Sequence, residues 1–145
     1  MTKNVPSLLL ADDDDDDRSI FKDALDTLPD TENFETVKDG AELMQHLHNS
    51  ENDLPDMLFL DLNMPRKTGV ECLKEIKAND KLKKLIVIIF STTFDVNTIS
   101  ALYDQGANFY MRKPASFSEL KHKIKNALSR LSSTGQTDRD DFVLD

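Results

Sequence analysis

Met57-Leu58-Phe59-Leu60 is an apolar run that ends in Asp61. Its residues do not alternate with polar ones, so the strand it forms is covered on both faces. That is the environment of a strand inside a parallel sheet, with helices packed above and below. The carboxylate that ends the run must lie at the strand's C-terminal end. Pro65 has no backbone donor and stops the ladder, and Gly69 provides a tight loop before the next helix.

The same grammar recurs along the chain. Ser7 to Ala11 is a short apolar strand that runs into six aspartates, Asp12 to Asp17. Ile20, Phe21, Ala24, Leu25 and Leu28 recur at helical spacing and predict an amphipathic helix from Asp16 to about Leu28. A weak strand, Phe34 to Val37, precedes a helix carrying Ala41, Leu43, Met44 and Leu47. His46 and His48 sit two apart on that helix, on different faces, which argues against a metal pair. After Gly69, Val70, Cys72, Leu73 and Ile76 mark a third helix to about Ala78. Leu85 to Phe90 is the strongest strand signal, ending in Ser91-Thr92-Thr93. A fourth helix is expected from about Val96 to Gln105, and a fifth strand from Ala107 to Arg112, ending in Lys113-Pro114. The last helix starts near Ser116 and carries Phe117, Leu120, Ile124, Leu128 and Leu131 on one stripe.

Five strands alternating with five helices predict a parallel sheet with helices on both faces. Function in such sheets gathers beyond the C-terminal ends of the strands. Asp12, Asp13, Asp61, Ser91 and Lys113 all fall there. Each has an ordinary reading as a turn, cap or surface residue, but their convergence on one sheet edge favours a site. Two carboxylates ~4 Å apart repel by about 4 kcal/mol at an effective dielectric of 20, which a bound cation relieves. Oxygen-only ligands suit Mg²⁺, Mn²⁺ or Ca²⁺. An EF-hand loop fits poorly, because Asp17 stands where that loop needs glycine. A carboxylate can also take a phosphoryl group, which requires positioning and charge neutralisation. Asp14 to Asp17 read as a cap and a first turn that complement the helix dipole.

Composition removes other classes. The 145 residues suit one domain, and a net charge of −9 disfavours nucleic-acid and anionic-membrane surfaces. No apolar run approaches the roughly 18 residues of a membrane span, and no signal-peptide pattern opens the chain. The single Cys72 reads as a buried structural thiol. A cytoplasmic location is expected.

Leu8-Leu9-Leu10-Ala11-Asp12-Asp13, Asp61-Leu62-Asn63-Met64-Pro65 with Gly69, Ile89-Phe90-Ser91-Thr92 and Lys113-Pro114 together resemble the receiver domains of bacterial two-component response regulators, of the chemotaxis-protein type. The resemblance covers about residues 5 to 131. It implies a flavodoxin-like (βα)5 three-layer sandwich with strand order 2-1-3-4-5, a receiver domain over residues 1–131, and an acidic, flexible tail over residues 132–145. Phe142-Val143-Leu144 in that tail is an apolar patch able to dock. The resemblance makes Asp61 the phosphoacceptor. Asp12, Asp13, Asp61 and the backbone carbonyl of Asn63 would hold Mg²⁺, with Mn²⁺ as a substitute. Ser91, Thr92 and Lys113 would bind the phosphoryl group, and Tyr110 would be the switch aromatic that turns inward. Asn63 and Thr93 would tune rates, and the Lys113–Pro114 bond would be cis.

Several functional expectations follow from the resemblance. Only 14 residues remain after Leu131, so a stand-alone receiver without a DNA-binding output domain is expected. Its partners would be a sensor histidine kinase or histidine phosphotransfer protein, and a protein target met through the fourth helix, fifth strand and fifth helix. It would not be a conventional enzyme, catalysing only its own phosphorylation and dephosphorylation. Three alternatives compete. A phosphorelay intermediate would pass the group on to a histidine phosphotransfer protein. A phosphohydrolase of the haloacid dehalogenase type needs a second carboxylate where Asn63 stands. A degenerate receiver would lack site residues that are present here.

Overall fold

A computed structural model describes residues 5–49, 53–131 and 137–144. Among them the sheet runs β2-β1-β3-β4-β5-β6, parallel throughout. The strands are β1 Leu8–Ala11, β2 Phe34–Val37, β3 Met57–Leu60, β4 Ile86–Ser91, β5 Phe109–Arg112 and β6 Val143–Leu144. The helices are α1 Asp15–Asp26, α2 Gly40–His48, α3 Gly69–Ala78, α4 Val96–Asp104 and α5 Phe117–Leu128.

The unalternating runs behave as expected. Every residue of β1 and β3 is buried. Alternate strand residues feed two cores. Leu9, Leu58, Leu60, Val87 and Ile89 meet Leu43, Leu73 and Leu102 of α2, α3 and α4. Leu8, Leu10, Phe59, Ile88 and Met111 meet Phe21 of α1 and Ile124 of α5. Phe21 anchors the second layer, with edge-on contacts to Phe59 and Phe90. Cys72 is fully buried, and burial pushes its thiol up to about 11, in keeping with a structural role.

Helix starts follow local chemistry. Asp14 caps α1 and accepts from the backbone N–H groups of Asp16 and Asp17. Thr68 and Glu71 form a reciprocal capping box on α3. Ser116 caps α5. Gly69 is required by a close approach: a Cβ there would lie 2.2 Å from the Asp61 carbonyl oxygen. The loop after β3 is thereby drawn against the strand end.

Two expectations are corrected. The sheet has six strands among the described residues, because part of the stretch expected to be a flexible tail adds β6. Residues 137–144 make one 3-10 turn, Arg139–Asp141, and then pair with β5 through Tyr110 and Met111. The apolar triplet drives this: Phe142 and Leu144 are each only 2% exposed. The rest of the expected tail, residues 132–136 and Asp145, lies outside the described residues. The second correction concerns Lys113–Pro114, which is trans; no cis peptide bond occurs among the described residues. Trans is favoured for X–Pro bonds by about 0.5–1 kcal/mol. Lys113 reaches the carboxylates from this backbone without the cis form.

Candidate phosphoacceptor and metal site

Strand register explains the site. Asp12 and Asp61 each follow the last residue of neighbouring strands, Ala11 and Leu60, which are paired partners. The Asp61 N–H donates to the Ala11 carbonyl at 2.9 Å. On the other side, β4 ends in Ser91, whose carbonyl accepts from the Lys113 N–H at 2.9 Å. Four crossovers thus bring residues up to 101 positions apart to one sheet edge.

Asp12 is fully buried and Asp61 is 5% exposed, whereas Asp13 is exposed. Each offers an oxygen, and these three atoms lie within 4.8 Å of one another. Burial strips water from Asp61 and pushes its carboxyl from 3.8 up to about 6, with Lys113 opposing and Asp12 reinforcing the shift. Burial also raises Asp12, against the pull of Lys113 and the Asp14 N–H.

Lys113 is the only cation among the described residues that pairs with these buried carboxylates. Its Nζ lies 2.9 Å from Asp12 Oδ2, 2.8 Å from Asp17 Oδ2 and 3.6 Å from Asp61 Oδ2. Burial works to lower its pKa, but the bond to Asp17, the close contact with Asp12 and the charge of Asp61 prevail and hold it well above the usual lysine range. The ammonium also sits 5.3 Å from the centre of the Phe90 ring. Arg18 braces the strand end, donating to the Asp12 carbonyl at 2.6 Å.

The donor set fits a hard divalent cation. Asp12 Oδ2 is buried and accepts no hydrogen bond, its approach to Lys113 being a charge contact outside hydrogen-bond geometry. A buried carboxylate oxygen left in this state is costly. Together with the oxygens of Asp13 and Asp61 it makes an all-oxygen, anionic pocket suited to Mg²⁺, Mn²⁺ or Ca²⁺. Asn63 follows in the loop, exposed, with its N–H 3.4 Å from Asp61 Oδ1.

The remaining expected residues lie on β4, on the loop that follows it and on β5. Ser91 is fully buried, and its Oγ accepts from the Thr93 N–H at 3.2 Å. Thr92 is exposed and Thr93 half-buried. Tyr110 is fully buried, and its hydroxyl donates to the Thr93 carbonyl. Every residue expected at the site lies at or beside this edge of the sheet.

Asp17 is the member that sequence reasoning missed as a site residue, taking it for helix-start electrostatics. A signal was present. Asp17 precedes Phe21 by four residues and Ala24 by seven, so it extends the buried stripe of α1 and faces Lys113.

A family model, the response regulator receiver domain, matches residues 8–125. The chemotaxis protein CheY of Pseudomonas aeruginosa is 31% identical over 125 residues, which cover 86% of this chain and 98% of that protein. Response regulator Rcp1 of Synechocystis sp. is 31% identical over 117 residues, covering 78% of this chain and 80% of that protein. Among solved structures, the phosphorylated cyanobacterial phytochrome response regulator RcpA is similar with a TM-score of 0.82 at 31% identity, covering 90% of this chain and 96% of that one. The Mn(2+)-bound form of Rcp1 is similar with a TM-score of 0.79 at 26% identity, covering 92% and 99%. With its fold, its acidic edge and a family match over most of its length, the chain belongs to the response regulator receiver domain family.

Proposed function

We propose that this chain works as a stand-alone response regulator, accepting a phosphoryl group on Asp61 from a histidine kinase or a histidine phosphotransfer protein. The observation that carries this reading is the cluster of buried Asp61 and Asp12 with half-buried Lys113. It is a carboxylate beside a second carboxylate and a cation, at the end of a parallel strand.

In the transfer, an Asp61 carboxylate oxygen forms a bond to phosphorus as the phosphorus–nitrogen bond of the donor histidine breaks. The histidine keeps the electron pair of that bond. Lys113 lies within reach of the new dianion and gives it a compact positive charge. Asp12, Asp13, Asp61 and the Asn63 carbonyl are the residues that would hold Mg²⁺, with Mn²⁺ as a substitute. The cation supplies neutralisation of charge on the phosphoryl oxygens. Ser91 can release the Thr93 N–H and turn its hydroxyl to a phosphoryl oxygen. Thr92 borders the same opening, and Asn63 and Thr93 stand where they can admit or exclude water, and so tune the rates.

The readout is a change of protein contacts. Ser91, Thr93 and Tyr110 link the end of β4 to β5 through one amide and one carbonyl, which supports a partner surface on α4, β5 and α5. The chain would catalyse no reaction beyond its own phosphorylation and dephosphorylation. The net charge of −9 argues for protein rather than DNA or membrane as the target. Among the described residues no helix is long and apolar enough to cross a membrane, in keeping with a cytoplasmic role.

The test is intact mass after incubation with a small acyl-phosphate donor, with and without Mg²⁺, on the wild type and Asp61→Asn. The expected result is an Mg²⁺-dependent phosphoryl adduct in the wild type alone. Labelling retained in Asp61→Asn refutes the assignment. A relay role would show instead as rapid return of the group to a histidine phosphotransfer protein, with no lasting adduct in its presence.

A further inference from the structure

The outer edge of β5, between α4 and α5, is already occupied by residues 137–144. The seat is built from several independent contacts. The Tyr110 N–H donates to the Phe142 carbonyl at 2.9 Å, and Val143 and Leu144 continue the pairing beside Tyr110 and Met111. The Phe142 ring packs edge-on against Tyr103 of α4 at 5.2 Å and lies tilted against Tyr110 at 6.4 Å. Leu144 enters the core on the opposite face of the sheet, with Leu120 and Ile124 of α5. Arg139 is a polar clamp on α4. It donates to Ser100 Oγ at 2.8 Å and Asp104 Oδ1 at 2.7 Å, and its guanidinium lies 4.4 Å from the centre of the Tyr103 ring. The Tyr103 hydroxyl donates to the Thr137 carbonyl at 2.8 Å.

We propose that this edge is a strand-docking site whose resident occupant is the chain's own 137–144 segment. A protein partner that uses the face must bring an extended segment of the same chemistry, an arginine followed three residues later by an aromatic-x-leucine triplet, and displace it.

Each part of the pattern has a receptor. An exposed strand edge presents unpaired N–H and C=O groups that any extended peptide can satisfy, so the main chain supplies affinity without selectivity. Selectivity resides in the pockets. The Tyr103–Tyr110 cleft takes an aromatic ring, the Met111–Leu120–Ile124 surface takes a leucine, and Asp104 with Ser100 takes a guanidinium fork. The resident segment is tethered, so it competes at an effective concentration on the order of millimolar. A partner segment must therefore be tighter than this occupant, or act when the occupant is loosened. Tyr110 touches both the occupant and the loop beside the acidic edge. Its ring meets Phe142 and its hydroxyl bonds to Thr93.

The inference stands on this packing and needs no phosphorylation, so it can fail while the assignment of Asp61 survives, and the reverse. The test uses the full-length chain and a fluorescent synthetic peptide of residues 137–145, read by anisotropy without any phosphoryl donor. The Arg139→Ala/Phe142→Ala double variant, its own segment weakened, is expected to bind the peptide at least tenfold tighter than the wild type. A scrambled peptide should bind neither. Hydrogen exchange locates the event: the Tyr110 amide should exchange at least tenfold faster in the double variant and slow again on saturation with peptide. Arg139→Ala alone leaves the core untouched and should show a smaller gain in peptide affinity, about threefold. Equal binding to wild type and variants, or peptide binding that leaves the Tyr110 amide unprotected, overturns the proposal. Protection of Tyr110 in the wild type that falls on dilution, alongside a dimer, assigns the occupant to a second copy and also overturns it.

Discussion

Asp61→Asn should stabilise the metal-free protein at neutral pH, and the gain should vanish in acid. The Asp61 carboxyl is 5% exposed and burial holds its pKa at about 6, against 3.8 outside the fold. The folded state therefore binds this proton more tightly than the unfolded state. Ionising the group costs the fold about two pH units, or about 3 kcal/mol at 1.36 kcal/mol per unit. Because the folded pKa is raised, that penalty is complete above pH 6 and fades as pH falls through the window from about 6 to 3.8. Asparagine has the shape of the neutral acid and removes the charge. Lys113 is not orphaned by the change, since Asp12 and Asp17 stay within 2.9 Å. Thermal unfolding in EDTA at pH 7.5 should show a rise of about 6–12 °C in Tm for Asp61→Asn, taking 2–4 °C per kcal/mol for a chain of this size. Near pH 4 the difference should shrink to less than about 1 kcal/mol. A gain of equal size at both pH values, or none at pH 7.5, would refute the account of a carboxylate strained by burial.

Three further outcomes follow from the same carboxylates. Mg²⁺ at a hundredfold excess over its Kd should stabilise the wild type by about 2.7 kcal/mol in urea unfolding, and Asp13→Asn should lose most of that gain with metal-free stability unchanged to within about 0.5 kcal/mol. Equal gains in both proteins would remove Asp13 from the ligand set. Lys113→Ala leaves buried carboxylates without their cation and should destabilise the metal-free fold by about 3 kcal/mol. Mg²⁺ should narrow that gap in the same assay, and a gap that stays constant would mean that the cation and Lys113 do not share these carboxylates. Asp17→Asn should release Lys113 towards Asp61 and lengthen the lifetime of the phosphoryl adduct about fivefold, the equivalent of about 1 kcal/mol. An unchanged lifetime, read by intact mass over time, would return Asp17 to a helix-start role.

The acidic edge of the sheet was legible in the sequence because each of its parts is written locally. A short apolar run without alternation, bounded by turn residues, reads as a strand covered on both faces, and a polar residue that ends such a run falls at the sheet edge. Asp12, Asp61 and Ser91 are of this kind, and Lys113 follows the weaker strand signal that ends in Arg112, so their meeting follows from the alternation of strands and helices. Cap residues such as Asp14, Thr68 and Ser116 are likewise local, since each satisfies N–H groups two or three positions away.

What the sequence could not decide depends on competition between partners distant along the chain. Whether Phe142-Val143-Leu144 stays in water or joins the sheet turns on the free edge of β5 and the cleft between Tyr103 and Tyr110, and no local pattern displays either. Asp17 looks like one more first-turn acid until Lys113, 96 positions away, arrives at 2.8 Å. Periodicity and strand-end chemistry determine the sheet and the residues on its functional edge, because they act over a few residues. Which charges pair inside that edge, and which segment closes the sheet, are decided only when the layers pack.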